Sequence, residues 1–275
     1  MLLVIDVGNT NTVLGVFKNG ELEAHWRLST TREKTADEYG ILCRNLLELG
    51  SIPFDSIDAV AISSVVPPLN DRLEEMSRQY FNVAPYLVDP SRQRLMKIRY
   101  NPIRDVGADR IVNSVAAFRR YGGPCIIVDF GTATTFDAVS RRGEYLGGVI
   151  APGVQVSTEA LVARAARLPR VEIKRTARVI GASTVESIQS GIFHGYVAMV
   201  DGILTKMAAE LPRARNIATG GLARLIAEDS ERIELVDEDL TLFGILYCYQ
   251  DERSSKRRTK DQRQRTKDEG KRTKD

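Results

Sequence analysis

The sequence lacks a long apolar run, and this absence excludes a helical membrane span. No apolar stretch among the 275 residues approaches the ~18 residues that a membrane helix needs. The run after Met1 has no basic residue before it and meets Asp6 too early for a signal peptide. Cysteine is scarce, and Cys43, Cys125 and Cys248 are too far apart to suggest a zinc or disulfide framework. We therefore expect a cytoplasmic protein with buried thiols and no membrane partner.

Histidine is also scarce, and familiar nucleotide-binding and hydrolase motifs are absent. With only His25 and His194, and no G-x-S-x-G, a Ser-His-Asp triad has little material. Neither a G-x-x-x-x-G-K-[ST] loop nor a G-x-G-x-x-G fingerprint occurs. We expect both histidines to be structural, His25 beside Trp26 and His194 within a helix.

Positive charge is concentrated at the C-terminal end. Residues 251–275 carry eleven Lys/Arg and six Asp/Glu, a net of +5, whereas the first 250 residues hold 28 basic and 30 acidic residues. The mildly acidic body removes most of the case for nucleic-acid binding there. The tail has no aliphatic or aromatic residue and repeats Arg-Thr-Lys-Asp every seven positions, which predicts disorder over 251–275. Weak attachment to RNA or another acidic surface stays open for this tail.

The first 250 residues contain an internal duplication. The segment LLVIDVGNT at 2–10 is echoed by CIIVDFGTA at 125–133, and in both an apolar run leads into Asp-x-Gly and short polar side chains. A second apolar segment follows each, VLGVF at 13–17 and TFDAV at 135–139. This pattern predicts a β-hairpin at the start of each half.

Helical spacing follows both hairpins. Apolar residues three or four positions apart predict helices within 36–50, 109–122 and 184–211, and NIATGGLARLIA predicts a strand, a glycine turn and a helix start. AVAISSVVPP is interpreted as a strand that ends in a rigid loop at Pro67–Pro68, and Gly147–Gly148, Pro152–Gly153 and Gly220–Gly221 as turns. The alternation predicts an α/β fold with domains at 1–118 and 119–250 and a cleft between them.

The loop after the first predicted strand has the chemistry of a phosphate site. Residues 8–12 offer successive backbone N–H groups and hydroxyl donors. Asp6 would repel phosphate unless a cation lay between them, and Mg²⁺ typically takes one or two carboxylates along with phosphate oxygens. The segment 129–132 supplies a second such loop, facing the first if the halves are related by a pseudo-twofold axis. A simple hairpin turn is the alternative for either loop alone.

The tetrapeptide Gly107–Arg110 lies at a predicted helix start, where free N–H groups favour anions. A substrate carboxylate could be held there by those groups and by Arg110. Asp109 could accept the proton of a hydroxyl that attacks a γ-phosphorus, and the helix terminus is expected to keep it ionised at neutral pH. The alternatives are a capping role for Asp109 and a surface ion pair for Arg110.

Taken together, DVGNTNTVLGVF, ISSVVPP, VGADRIVNSVAA, VDFGTATTFDAV, GGVIAPG and ATGGLA resemble the type III pantothenate kinases of the acetate-and-sugar-kinase, Hsp70 and actin superfamily. The match runs in order over residues 1 to about 248. The resemblance implies two duplicated ribonuclease-H-like (actin-like ATPase) domains with a nucleotide cleft between them. It also implies ATP-dependent phosphorylation of the primary hydroxyl of pantothenate to 4′-phosphopantothenate, the first step of coenzyme A biosynthesis.

The resemblance further implies roles for individual residues. Asp109 matches the catalytic base, and Asp129 a ligand of a monovalent cation, K⁺ or NH₄⁺. Asp6 is also expected to hold Mg²⁺. The implied ATP-binding residues are Asp6, Val7, Gly8, Asn9, Thr10, Asn11, Thr12, Val13 and Thr132. The implied pantothenate contacts are Tyr100, Gly107, Ala108, Asp109, Arg110 and Thr184, the last near the interface of a homodimer.

Alternatives remain at several levels. Thr184 could be a helix N-cap and Tyr100 a core residue. For the whole chain, the rival from another class is a nucleotide-binding transcriptional accessory protein of the same family. A kinase for another small hydroxy acid would share the phosphate chemistry with a different pocket.

Overall fold

The computed structural model describes residues 1–165 and 167–272, with side chains described except at 257 and 259–272. In this part of the chain the strands are β1 (Leu2–Val7), β2 (Asn11–Lys18), β3 (Glu21–Ser29), β4 (Ala59–Ser64), β5 (Tyr86–Leu87), β6 (Lys97–Ile98), β7 (Cys125–Phe130), β8 (Ala133–Val139), β9 (Glu144–Pro152), β10 (Arg215–Gly220) and β11 (Leu235–Val236). The α-helices are α1 (Ala36–Leu49), α2 (Pro67–Phe81), α3 (Ala108–Tyr121), α4 (Val154–Arg164), α5 (Thr184–Glu210), α6 (Ala223–Ala227) and α7 (Leu240–Arg272).

The strands form two sheets that repeat one pattern. The first sheet has the order β3-β2-β1-β4-β5, and the second β11-β10-β7-β8-β9-β6. In each sheet the leading strand pairs antiparallel with its hairpin partner and parallel with a later strand, β1 with β2 and β4, and β7 with β8 and β10. Asp6 and Asp129 are each the next-to-last residue of their strands. The predicted mixed α/β fold and its duplicated hairpins are therefore confirmed.

One apolar core joins the two halves. Leu2 and Val4 of β1 pack in the same buried cluster as Ile111 of α3 and Leu242 and Ile245 of α7. α7 thus follows the second sheet along the chain but packs against the first. In the opposite direction, β6 leaves the first half and pairs with β9 of the second sheet. The predicted division between residues 118 and 119 falls inside α3.

Pro67 and Pro68 begin a helix, so the prediction of a rigid loop was wrong. Proline is well suited to the first turn of a helix, because the N–H it lacks has no intrahelical partner there and its φ is already helical. Leu69, Leu73 and Met76 are buried at helical spacing along α2. Two prolines after a strand therefore marked a helix start here.

Two of the three glycine turns were also predicted wrongly, because Gly147 and Gly148 lie inside β9 and Gly153 precedes α4. A Cβ at Gly148 would collide with the carbonyl group of Phe136, and one at Gly153 with that of Thr132. These glycines thus permit close backbone approach within and beside a strand. Gly220, with φ +92°, does form the predicted turn after β10.

Helix α7 extends through the segment for which the sequence predicts disorder. Its first turns are anchored by buried apolar side chains, and beyond them Lys, Arg, Gln and Glu are good helix formers. Glu252 and Lys256 form an ion pair one turn apart at 3.1 Å. The last three residues of the tail lie outside the described residues. The weak attachment of the tail to nucleic acid stays a prediction.

Two predictions from composition can be compared with the structure. Cys43, Cys125 and Cys248 are buried free thiols, as predicted. In the described part of the chain, no helix has the length and apolar character that spanning a membrane requires.

Candidate active site

Two hydrogen bonds to Gly8 fix the conformation of the turn between β1 and β2. Gly8 donates its N–H to the carbonyl oxygen of Asn11 at 2.9 Å. Thr30 at the end of β3 donates its hydroxyl to the carbonyl oxygen of Gly8 at 2.7 Å. Asn9 and Thr10 are exposed at the tip. The turn therefore exposes two polar side chains and free backbone groups, and hydrogen bonds at Gly8 fix its conformation.

The other predicted ATP-binding residues of this loop lie within the strands. Val7 is buried in the core, and Val13 packs against the cluster beneath α7. The hydroxyl of Thr12 is buried and lies 2.9 Å from that of Thr30. Thr12 thus braces the loop from below, and a direct phosphate contact by its hydroxyl is not what this geometry favours.

The two duplicated loops meet at their tips. The hydroxyl oxygens of Thr10 and Thr132 are 2.8 Å apart. The backbone of Thr132 is fixed in turn, because its carbonyl oxygen accepts the N–H of Gly153 at 3.1 Å. The predicted facing of the loops is what the structure has.

Three carboxylates gather behind these loops, on Asp6, Asp109 and Asp129. Burial, and then repulsion from the other two, raises the pKa of Asp6 to about 8. Burial and repulsion from Asp109 and Asp137 raise the pKa of Asp129 to about 7. Among the described side chains, none of the three carboxylates forms an ion pair. Such a cluster of unpaired acids suits a cation.

The carboxylate of Asp129 is oriented by a chain of side-chain hydrogen bonds. Asn113 of α3 donates its amide to Asp129 Oδ2 at 2.9 Å. Thr241, in the first turn of α7, donates its hydroxyl to Asn113 Oδ1 at 2.7 Å. The C-terminal helix thus contributes to the geometry at Asp129.

Asp109 lies in the first turn of α3, as predicted. Gly107 is the N-cap residue, and Asp109 Oδ1 accepts the N–H of Arg110 at 2.8 Å. A Cβ at Gly107 would collide with this carboxylate, so glycine leaves it room. Burial raises the pKa of Asp109 above its ordinary value, contrary to the expectation that the helix terminus alone would keep it ionised.

Arg110 is buried and does not form the surface ion pair that the sequence left open. Its Nε donates to Asp137 Oδ1 at 2.8 Å, and its Nη2 lies 2.7 Å from the same oxygen. That second contact is poorly directed, and Nη2 is buried without a hydrogen-bond partner. The hydroxyl of Tyr145 also donates to Asp137 Oδ1, at 2.8 Å. Arg110 therefore keeps unused donor capacity beside Asp109.

Tyr100 lies beside Tyr145. Its ring is 6.3 Å from that of Tyr145, centroid to centroid, and a Cβ at Gly147 would be 3.4 Å from its Cδ2. A Cβ at Gly148 would come within 3.0 Å of Arg110 Nη2. Two adjacent glycines of β9 thus let its main chain pass close to the aromatic ring and to the guanidinium.

Thr184 is not brought to this place by its own chain. It begins α5 and is exposed, and Ser183 is the N-cap, accepting the N–H of Glu186 at 3.2 Å. Thr184 lines an open groove of about 820 Å³ between α4 and α5. No contact among the described residues joins it to Tyr100 or Arg110.

Sequence reasoning missed Arg27, Asp137 and Tyr145. Asp137 interrupts an apolar strand segment, TFDAV, which is a detectable signal for a buried charge with a partner. Arg27 is aligned with Val13, which is aligned with Asp6, across the first sheet. Its positive charge lowers the pKa of both Asp6 and Asp129, although burial outweighs this effect.

Each of the two histidines has a polar partner outside the group of clustered carboxylates. His25 Nδ1 lies 3.0 Å from Asp239 Oδ1, and His194 Nε2 lies 3.1 Å from the hydroxyl of Thr176. No described contact joins either ring to the three clustered carboxylates.

The donor set fits metal ions that are shared with a ligand. In the described residues no group of three or more His, Cys, Asp or Glu could hold a metal ion by itself. Magnesium sites at nucleotides typically use one or two carboxylates and complete their shell with phosphate oxygens and water. The buried, unpaired carboxylate of Asp6 beside a phosphate-type loop meets that requirement.

Comparison with known proteins gives a consistent result. The family model described as type III pantothenate kinase matches residues 2–206. The type III pantothenate kinase of Geobacter sulfurreducens is 55% identical over 254 residues, 92% of this chain and 100% of that protein. Among solved structures, a conserved Baf family protein from Campylobacter jejuni has a TM-score of 0.57 at 17% identity, covering 92% of this chain and 99% of that one. The ROK hexokinase of Thermus thermophilus has a TM-score of 0.51 at 12% identity, covering 92% and 99%. The last two likenesses concern the fold alone.

Proposed function

Because the chain belongs to the type III pantothenate kinase family, we infer that it transfers the γ-phosphoryl group of ATP to the primary hydroxyl of pantothenate. The product is 4′-phosphopantothenate, and the reaction is the first step of coenzyme A biosynthesis. The observation that carries this proposal is the convergence of two duplicated phosphate-type loops with the buried carboxylate of Asp109.

Phosphate binding is assigned to the two loop tips. Asn9 and Thr10 would donate backbone and side-chain hydrogen bonds to the phosphates, Gly8 would let the main chain approach them closely, and Thr132 would donate from the opposite side. Asp6 would hold Mg²⁺, whose charge, when bound, offsets that of the phosphates and of the developing transition state.

Asp109 is assigned the role of general base. It would accept the proton of the pantothenate hydroxyl as the oxygen attacks phosphorus. Its raised pKa makes the ionised carboxylate a better proton acceptor than an ordinary aspartate, provided that it is ionised when substrate binds. Gly107 and the hydrogen bond from the N–H of Arg110 fix its position.

Binding of pantothenate, the phosphoryl acceptor, is assigned to the residues beside Asp109. Arg110 has a buried Nη2 that lacks a hydrogen-bond partner, which suits the carboxylate of pantothenate. Gly107, Ala108 and Tyr100 would line the same pocket, beside the main chain of β9 at Gly147 and Gly148.

A monovalent cation, K⁺ or NH₄⁺, is assigned to Asp129. Support comes from its burial without an ion pair in the described residues and from the amide of Asn113, which fixes one of its oxygens at 2.9 Å. The ion would lie near the γ-phosphate and help to order it.

A homodimer is proposed, with the site near its interface. Thr184 is a matched pantothenate residue that its own chain leaves away from the pocket. Val179 and Ile180, next to the groove between α4 and α5, are 68% and 89% exposed. A second copy covering this apolar region could bring Thr184 to the acceptor site of its neighbour.

The transcriptional accessory alternative is not favoured, because the relatives at 51–55% identity are named as pantothenate kinases. The deciding experiment incubates the full chain with MgATP and a panel of hydroxy acids, with K⁺ or Na⁺, and measures ADP. We expect ADP formation that depends on pantothenate, Mg²⁺ and K⁺. Formation only with another acid, or with none, would overturn the assignment.

A further inference from the structure

Asp137 is a fully buried carboxylate that the phosphoryl-transfer chemistry does not use. Two donors converge on its Oδ1: Arg110 Nε and the hydroxyl of Tyr145, each at 2.8 Å. The hydroxyl of Thr135 lies 3.3 Å from its other oxygen. Asp137 and Tyr145 are 0% exposed, and Arg110 is 7% exposed.

Stability does not explain this arrangement well. Placing a guanidinium and a carboxylate in the interior removes both from water, and apolar side chains of similar volume are often at least as stable there. Two neighbouring strands are nevertheless arranged around the pair. The main chain of β9 passes close enough that a Cβ at Gly148 would be 3.0 Å from Arg110 Nη2.

The arrangement restricts the guanidinium to one orientation. Asp137 takes the Nε–H of Arg110, the Tyr145 ring lies 5.8 Å from the guanidinium carbon, and the Tyr145 hydroxyl fixes the carboxylate. Nη2 lies 2.7 Å from the same oxygen of Asp137 but is buried without a hydrogen bond of its own. Because an unpaired buried donor is costly, a ligand oxygen that satisfies it gains affinity, and a ligand that lacks one does not.

Asp137 also offsets the charge of Arg110. An approaching carboxylate therefore meets a pair that is close to neutral, and the direction of the N–H bonds, more than net charge, decides how well it binds.

We propose that Asp137 and Tyr145 are positioning residues that hold Arg110 so that its free N–H groups select acceptors with a carboxylate. This inference rests on the proposed role of Arg110 in binding pantothenate. It adds Asp137 and Tyr145 to the residues that determine acceptor binding, and it gives a physical cause for the selection of acceptors with a carboxylate.

The chain supplies a matched control. Tyr121 donates its hydroxyl to Asp237 at 2.7 Å, and Asp237 is paired with Arg120 at 3.1 Å. This second Tyr–Asp–Arg group has the same chemistry, and no described contact joins it to Asp109 or Arg110. A general effect of removing a tyrosine hydroxyl from a buried aspartate will therefore be seen in Tyr121→Phe.

The experiment measures steady-state kinetics of Tyr145→Phe, Asp137→Asn and Tyr121→Phe. Two acceptors are compared: pantothenate, and pantothenol, in which a primary alcohol replaces the carboxylate. We expect KM for pantothenate to rise about threefold or more in Tyr145→Phe and about tenfold or more in Asp137→Asn. KM for ATP, and the KM or Ki for pantothenol, should stay unchanged, and Tyr121→Phe should match the wild type.

A double-mutant cycle makes the assignment sharper. If Asp137 acts through Arg110, then Asp137→Asn in an Arg110→Gln background should raise KM for pantothenate no further. Wild-type KM in both Tyr145→Phe and Asp137→Asn, or equal losses for pantothenate and pantothenol, would overturn the proposal. If Asp137→Asn does not fold, Tyr145→Phe decides alone. A wild-type enzyme that forms no pantothenate-dependent ADP would instead refute the proposed function, so the two failures are distinguishable.

Discussion

The hydroxyl oxygens of Thr10 and Thr132 lie 2.8 Å apart, although the two residues are 122 positions apart in the chain. This contact joins the turns of the two duplicated hairpins. A nucleotide phosphate bound by both loops would have to replace it with hydrogen bonds to its own oxygens. The pair thus links the duplication in the sequence to a single binding site.

Replacing either threonine by valine keeps its shape and removes its hydroxyl. We expect Thr10→Val and Thr132→Val each to raise KM for ATP about fivefold, since a hydrogen bond contributes about 1 kcal/mol net. KM for pantothenate should not change. Thr205→Val is the control, because among the described side chains the hydroxyl of Thr205 bonds only to the carbonyl oxygen of Asp201 on α5. An unchanged KM for ATP in both variants would show that the hydroxyls do not contact the nucleotide.

Asp109→Asn keeps the size of the side chain and removes its ability to accept a proton. If Asp109 is the general base, kcat should fall about 10²- to 10⁴-fold. The Kd for a magnesium complex of a non-hydrolysable ATP analogue, measured by calorimetry, should stay close to that of the wild type. Asp105→Asn is the control, because Asp105 is an exposed carboxylate shortly before the start of α3. Normal turnover in Asp109→Asn would remove this residue from the mechanism.

The parts of the fold that were predictable from sequence rest on local patterns. The strand–turn–strand segments around Asp6 and Asp129 combine apolar runs with an unambiguous turn. The helix that begins after Gly107 has a clear 3.6-residue period and ends at Gly122. In such segments the residues that determine the structure are neighbours in the chain, and a single sequence displays them.

The parts that were missed depend on contacts between distant residues. A surface ion pair was the alternative interpretation of Arg110, but its partner Asp137 is buried and 27 positions away on another element, and no local rule joins them. Gly148 was predicted to be a turn residue. The reason for glycine there is the carbonyl group of Phe136, which excludes a side chain, and this group comes close only when β8 and β9 pair. The site's supporting residues were therefore harder to predict than its loops.

The pKa values at the carboxylate cluster predict how stability depends on pH. The pKa values of Asp6 and Asp129 are raised to about 8 and about 7, from an ordinary value of 3.8. Between pH 4 and 8 the folded protein therefore binds more protons than the unfolded chain. Its free energy of unfolding should fall as pH rises through this window and level off above it.

Asp6→Asn tests the contribution of one group. It removes a carboxyl whose pKa is raised in the folded protein, so the fall in unfolding free energy between pH 5 and 8 should be smaller than in the wild type. Urea denaturation without Mg²⁺ or nucleotide measures it, with Asp55→Asn as the control at an exposed carboxylate. Identical pH profiles for the wild type and Asp6→Asn would contradict the predicted coupling.

The charge of Arg27 lowers the pKa of both Asp6 and Asp129, and no ion pair among the described side chains neutralises it. A Cβ at Gly221, in the turn after β10, would lie 3.6 Å from its Nη1, so the side chain of Arg27 reaches from the first sheet to the second. We expect Arg27→Gln to weaken MgATP binding about fivefold, because it removes a positive charge near the phosphates. The loss should shrink at high salt, which screens exposed charges. Calorimetric titration at low and high ionic strength measures both effects, with Arg44→Gln as the control on the exposed face of α1. Equal MgATP affinities for Arg27→Gln and Arg44→Gln at low salt would show that Arg27 does not contribute to nucleotide binding. It would then only offset the negative charge of the clustered carboxylates in the protein without nucleotide.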